Sequence, residues 1–192
     1  MSFQIIMALC KNKGIGYKNK LPWSSKIDMK FFKWMTTISN DKNLLVMGRK
    51  TWSSLNYKEL TNRHSYIVSD KLTKGILSSN TTVGTFEDSL YTNEKYKWIM
   101  GGEQIYNYSL THYLNNINNI FITYIDKEYN YDTQFKKTDL IEKNFYIRSA
   151  FNIKERDLPL TFYYLHNKNG VIDELIDLRW NEFVKKMNDH RS

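Results

Sequence analysis

Asp28 is the residue of this chain best placed to do chemistry. The first 33 residues carry seven lysines and no second acid. In a helix over 25–36, Asp28, Phe31, Phe32 and Met35 share one face by the i, i+3, i+4, i+7 rule. A carboxylate on an apolar face is costly unless it is paired or hydrogen-bonded. It must therefore serve the protein or grip a ligand rich in donors. Ser25-Lys26-Ile27-Asp28 also reads as a capping box, whose acid bonds back to the cap residue's amide. Spacing alone leaves both roles open.

Two glycine turns add a second kind of chemistry. Val46-Met47-Gly48-Arg49-Lys50-Thr51-Trp52 ends a strand and begins a helix with two cations and a hydroxyl. Ile99-Met100-Gly101-Gly102-Glu103-Gln104-Ile105-Tyr106 does the same with a glycine pair. Amides at a helix N-terminus bind phosphate, and glycine lets it come close. On neighbouring strands the two turns would cradle a dinucleotide pyrophosphate at the carboxyl edge of a sheet. Neither matches G-x-G-x-x-G or a P-loop. Cations at a helix start oppose the dipole, so Gly48-Arg49-Lys50-Thr51 asks for an anion.

These groups need a scaffold, and strand-like runs recur at Phe3–Leu9, Asn43–Met47, Ser65–Ser69, Lys97–Met100, Ile120–Tyr124, Tyr146–Phe151 and Leu160–Asn167. Helical stretches lie near 25–38, 51–56, 86–92 and 103–109. Unbroken apolar strands alternating with helices predict an α/β fold: a mostly parallel sheet covered on both faces by about four helices. The last two runs would form an antiparallel edge. In the tail, Ile172, Leu175, Ile176, Trp180, Phe183, Val184 and Met187 recur at helical spacing, predicting an amphipathic C-terminal helix. Either it packs on its own domain or it docks on another protomer. The expected organisation is one domain, 1–168, with a helical extension, 169–192.

Composition narrows the partners. At 192 residues, with 41% hydrophobic and 25% charged content, the chain is an ordinary globular one. A net charge of +8 suits nucleic acid or anionic small molecules. With no basic-region helix, RNA-binding aromatic signature or Cys/His finger, anionic small molecules are expected rather than nucleic acid. No apolar run reaches the length of a membrane span. The histidines and the single Cys10 have no zinc spacing, so no metal is expected. One cysteine and no leader pattern in Met1–Ala8 predict a reducing, cytoplasmic setting.

Taken in order, these motifs resemble dihydrofolate reductase over about residues 3–168. Ile6-Met7-Ala8-Leu9 is similar to the family's first strand, and Ile15-Gly16 through Leu21-Pro22-Trp23 to its mobile active-site loop. Asp28 with Phe31 and Phe32 matches the acid that holds the pterin. Met47-Gly48-Arg49-Lys50-Thr51-Trp52 matches M-G-R-x-T-W, and Ile99-Met100-Gly101-Gly102 with Ile105-Tyr106 matches I-x-G-G-x-x-[IV]-Y, whose glycines are joined by a cis peptide. Thr123 and Asp132-Thr133-Gln134-Phe135 match the strand threonine and D-T-x-F.

The resemblance implies reduction of 7,8-dihydrofolate to tetrahydrofolate by hydride transfer from NADPH, feeding one-carbon and thymidylate metabolism. It implies catalytic roles for Asp28, Leu21, Trp23 and Thr123. Folate would meet Met7, Ala8, Asp28, Phe32, Leu55, Leu60, Arg63, Met100 and Thr123, with Arg63 pairing the glutamate α-carboxylate. NADPH would meet Ala8, Ile15, Gly16, Asn19, Gly48, Arg49, Lys50, Thr51, Ser69, Asp70, Lys71, Gly101, Gly102, Glu103, Gln104, Ile105 and Tyr106. Asp132 would hold the active-site loop near Gly16.

Two segments depart from the family pattern. Glu59-Leu60-Thr61-Asn62-Arg63 replaces P-L-P-G-R, predicting a looser loop before Arg63. Ser69-Asp70 replaces Ser-Arg or Ser-Ser at the 2′-phosphate position, setting an acid where the phosphate would lie. A riboflavin-pathway pyrimidine reductase shares this scaffold but generally lacks the acid at the Asp28 position. The tail helix suggests self-association or coupling to thymidylate synthase, to which the family is sometimes fused.

Overall fold

Ile5-Ile6-Met7-Ala8-Leu9 and Leu44-Leu45-Val46-Met47 form the buried centre of a nine-stranded sheet. The computed structural model describes residues 2–189. The first half of the chain runs β1 (Phe3–Cys10), β2 (Gly14–Gly16), α1 (Lys26–Met35), β3 (Asn43–Gly48), α2 (Arg49–Ser54), β4 (Arg63–Val68), β5 (Gly75–Ser78), β6 (Thr81–Gly84) and α3 (Phe86–Leu90). Then follow β7 (Lys97–Gly101), α4 (Glu103–His112), β8 (Ile117–Ile125), β9 (Thr133–Gln134), α5 (Thr138–Asn144), β10 (Phe145–Glu155), β11 (Leu158–Asn167) and α6 (Glu174–Asp189). The main sheet has the order β10-β11-β8-β1-β7-β3-β4-β6-β5. Neighbours are parallel from β8 through β6, and β10–β11, β11–β8 and β5–β6 are antiparallel.

The expected strands and helices all form, with some shifted ends. The sequence reading missed β2, β5, β6, β9 and α5. These are short, and β5 is almost wholly exposed while α5 buries only Ile141, so neither prints a clear periodicity.

Two apolar layers sandwich the sheet. One gathers Ile6, Phe31, Met35, Leu45, Met47, Trp98, Phe121 and Phe162 under α1 and α6. The other gathers Met7, Leu9, Val46, Ile99, Ile105 and Tyr106 with α3, α4 and α5. α6 covers Glu174–Asp189 of the expected 170–192 helix, and 190–192 lie outside the described residues. Its buried Ile176, Trp180, Phe183 and Met187 join the first layer, where Phe31 meets Trp180 and Phe183 at ring distances of 5.8 and 4.9 Å. Arg179 stacks 3.8 Å over Trp34 and donates to the Trp34 and Thr37 carbonyls, while Trp34 Nε1 donates to the Arg179 carbonyl. The tail helix thus braces α1. Among the described residues, no helix is long and apolar enough to cross a membrane.

Candidate active site

Asp28 sits in the first turn of α1 and is 6% exposed. Ser25 is the N-cap, and its Oγ accepts from the Asp28 amide at 3.0 Å, so half of the expected capping box forms. Asp28 does not close the other half by accepting from the Ser25 amide, and the first helical amides go to another acid. Glu155, at the end of β10, accepts from the Lys26 amide at 2.9 Å, the Ile27 amide at 3.3 Å and the Ser25 hydroxyl at 2.5 Å. The Asp28 carboxylate is left to face Thr123 and Trp23. Burial, its largest cause, raises its pKa to about 6 overall; the neighbouring Thr123 and Trp23 side chains act to lower it and the Glu155 charge to raise it. No cation is among these causes. Thr123 is buried on β8 in register with Ala8 of β1, so the acid lies over the sheet centre. The buried Trp23 indole nitrogen has no protein partner at hydrogen-bond distance and geometry.

Around the acid lies an apolar wall. Ala8, Phe32, Leu55, Leu60 and Met100 are partly buried against the same core layer, beside buried Trp23. Arg63 is buried, with its guanidinium 5.7 Å from the Phe32 ring centroid, Nη1 on Thr36 Oγ1 at 3.0 Å and Nε on the Thr61 carbonyl at 3.1 Å. Burial lowers its pKa. The preceding loop turns through Asn62 at φ 61° and a bond from the Arg63 amide to the Leu60 carbonyl at 3.2 Å. Asn tolerates that left-handed backbone and substitutes for the family's glycine. Met7 differs from the expected folate group: its side chain packs in the opposite layer, because successive strand residues face opposite ways. Ile6 takes the near side instead, an assignment that strand alternation from Ala8 would have given.

The glycine turns meet as the spacing required. The Gly101–Gly102 peptide is cis, and Gly101 has φ 112°. A Cβ on Gly102 would stand 3.2 Å from Thr51 Oγ1, and one on Gly48 3.3 Å from Ile105 Cγ1. The two turns therefore press against each other at the carboxyl ends of β3 and β7. Gly48 and Gly102 are the N-caps of α2 and α4, and neither helix has a side-chain cap. Arg49 and Thr51 are half-buried there, while Lys50 and Gln104 are exposed. Glu103 pairs with Lys136 at 3.5 Å. Tyr106 donates its hydroxyl to the Ile6 carbonyl at 2.8 Å, and burial, with the charge of Asp28 next, pushes its phenol far above the ordinary range. After β4, Ser69 Oγ accepts from the Lys71 amide at 3.1 Å, with Asp70 and Lys71 exposed at the same sheet edge.

The loop over the cleft is tied down. Gly14 and Gly16 pair with β9, Asp132 Oδ2 accepts from the Lys18 amide at 2.7 Å, and the Asp132 amide donates to the Gly16 carbonyl at 3.0 Å. The Lys18 bond, foremost, holds the Asp132 pKa below the usual carboxylate range. Ile15 packs against the α4-side layer, and exposed Asn19 reaches Ser53 of α2 at 3.3 Å. Trp23 lies 5.9 Å from Tyr129, and Leu21 is 45% exposed.

A buried carboxylate in an apolar cleft, beside two glycine turns without side-chain caps on adjacent strands, defines the class of α/β proteins whose site lies at the carboxyl ends of the strands. The comparisons agree. A dihydrofolate reductase family model matches residues 2–167. The chain is 31% identical over 182 residues to a bifunctional dihydrofolate reductase-thymidylate synthase of Paramecium tetraurelia, covering 92% of this chain but 37% of that protein. It is 33% identical to dihydrofolate reductase of Buchnera aphidicola, covering 73% of this chain and 82% of that one. With the Schistosoma mansoni enzyme it shares 34% identity, covering 72% and 80%. In fold it is similar to an Enterococcus faecalis dihydrofolate reductase structure complexed with NADP(H): TM-score 0.74, 21% identity, 87% of this chain and 96% of that one. The chain belongs to the dihydrofolate reductase family. This match does not favour a pyrimidine reductase.

Proposed function

We propose that the protein reduces 7,8-dihydrofolate to 5,6,7,8-tetrahydrofolate with NADPH, with 1–168 as the catalytic unit. One observation carries this reading: Asp28 is buried with its pKa raised to about 6 and, among the described residues, no cation among the causes of that shift. Such a carboxylate is a receptor for a flat heterocycle presenting an amino group and a ring N–H, held by paired charge-assisted hydrogen bonds. Thr123 supports the acid, Phe32 and Ala8 offer flat apolar surface, and Leu55, Leu60 and Met100 line the way towards Arg63. Arg63, with donors beyond those used on Thr36 and Thr61, suits an α-carboxylate.

The residues present fit a dinucleotide. Arg49, Lys50 and Thr51 supply cations and a hydroxyl, and Gly48, Gly101 and Gly102 leave no side chain in the way. Glu103, Gln104, Ile105 and Tyr106 follow from the second turn. When bound, NADPH supplies the hydride. Ser69, Lys71 and Arg49 form the edge for a 2′-phosphate, where Asp70 weakens the preference over NADH. Ile15, Gly16 and Asn19 border this side, and Asp132 keeps the loop closed so that Leu21 and Trp23 exclude water.

For partners, the bifunctional Paramecium relative supports coupling of this unit to thymidylate synthase, and the exposed Val171, Ile172, Leu175 and Leu178 near α6 leave self-association a second use of that surface. A cytoplasmic setting accords with the single free Cys10. The test is loss of NADPH absorbance on adding dihydrofolate, repeated with NADH. Dihydrofolate-dependent oxidation, faster with NADPH, supports the reading; no oxidation with either cofactor rejects it.

A further inference from the structure

Glu155 has no part in the site assignments above, yet it is the group that organises the start of α1. It lies at the end of β10, 128 to 130 residues from its partners. Its two oxygens take the first amides of the helix and the Ser25 hydroxyl, and the Ser25 oxygen in turn takes the Asp28 amide. We propose that Glu155 is a positioning residue of the substrate site: from the C-terminal hairpin it clamps the first turn of α1 through Ser25 and so fixes where Asp28 stands.

Three physical facts support the assignment. An anion at a helix N-terminus satisfies free amides and complements the helix dipole. A hydroxyl that donates to a carboxylate is polarised, which strengthens the bond it accepts. And with Glu155 holding the Lys26 and Ile27 amides and the Ser25 hydroxyl, the first turn of α1 is fixed without a bond from the Asp28 carboxylate. Burial opposes ionisation of Glu155, but the bonds from Ser25, Ile27 and Lys26 outweigh it and hold its pKa below the ordinary value. The groups interacting with Asp28 are Glu155 from β10, Thr123 from β8, Trp23 from the loop and Tyr106 from α4.

The inference rests on Asp28 as the substrate anchor, so the experiment includes Asp28→Asn alongside Glu155→Ala and the near-isosteric Glu155→Gln. Steady-state kinetics are measured for dihydrofolate and for NADPH across pH, with circular dichroism of each variant. Losing a cap of ordinary strength corresponds to roughly threefold to thirtyfold. Glu155→Ala should raise KM for dihydrofolate within that range while leaving KM for NADPH near wild type. Glu155→Gln should do less. Both should move the low-pH midpoint of kcat/KM downward, since a like charge beside Asp28 is gone. Wild-type KM and pH profile in both variants would overturn the proposal, as would equal losses for the two ligands. Dihydrofolate affinity unaffected by Asp28→Asn would overturn the underlying reading of Asp28 and the clamp with it.

Discussion

Two helices of this protein begin with the same pattern and use it in opposite ways. Thr85-Phe86-Glu87-Asp88 opens α3 as a complete capping box: Thr85 Oγ1 accepts from the Asp88 amide at 3.2 Å, and Asp88 accepts from the Thr85 amide at 3.1 Å. Ser25-Lys26-Ile27-Asp28 opens α1, but only the serine half of the box forms. Asp88 is exposed, and its bonds to Thr85 hold its pKa below the ordinary value. Asp28 is buried and raised to about 6. The motif therefore specifies a helix start in both places without specifying the acid's task. What separates them is a third residue: at α1 Glu155 accepts from the Lys26 and Ile27 amides and the Ser25 hydroxyl from across the fold, whereas at α3 the aspartate itself bonds back to the cap amide.

The largest expected effect follows from removing the charge at the freed acid. Asp28→Asn should lower dihydrofolate turnover by orders of magnitude at neutral pH with an unchanged circular dichroism spectrum, because an amide offers one acceptor where the carboxylate offers two. Near-normal turnover would put Asp28 back beside Asp88 as a capping residue.

The stability effects of the two acids should have opposite signs. With its folded pKa raised from 3.8 to about 6, Asp28 holds a proton in the folded protein that the unfolded chain has released between those values. Stability from this group is present below that window and is lost as pH rises through it, by roughly 1–3 kcal/mol. Asp28→Asn should remove this loss and be the more stable protein at pH 7, as read by denaturant unfolding. An unaltered pH dependence would mean that Asp28 is not desolvated. Asp88, with its pKa lowered, contributes stability above its ordinary value that is lost in acid. Asp88→Asn should cost no more than a few degrees in Tm at pH 7 and leave turnover alone; a large loss of activity would break the contrast.

Legibility in the sequence divides along the same line. Asp28 was visible because its spacing to Phe31 and Met35 sets it on an apolar face, and the glycine turns because they punctuate strands that pair in the fold. Local pattern suffices for such features. Glu155 left no local signal, since its partners lie well over a hundred residues away and its own strand is an unremarkable antiparallel edge. The resemblance implies folate contacts for both Met7 and Ala8, and strand alternation sends their two side chains to opposite layers. The short α5 and the edge strand β5 lacked enough buried positions to declare a period, and β6 spans only four residues. Replacement of the family's proline loop leaves the turn to Asn62 and the Leu60 carbonyl, and Arg63 is buried after it.

The most direct measurement is a pH titration of the aspartate carboxyl carbons by 13C NMR in the ligand-free protein, with Asp28 and Asp88 assigned by their Asn variants. The expected result is two separated midpoints in one spectrum, Asp28 near 6 and Asp88 below 3.8. If Asp28 instead titrated at or under 3.8 together with Asp88, the claim that this carboxylate is held buried and uncompensated for a ligand would be contradicted.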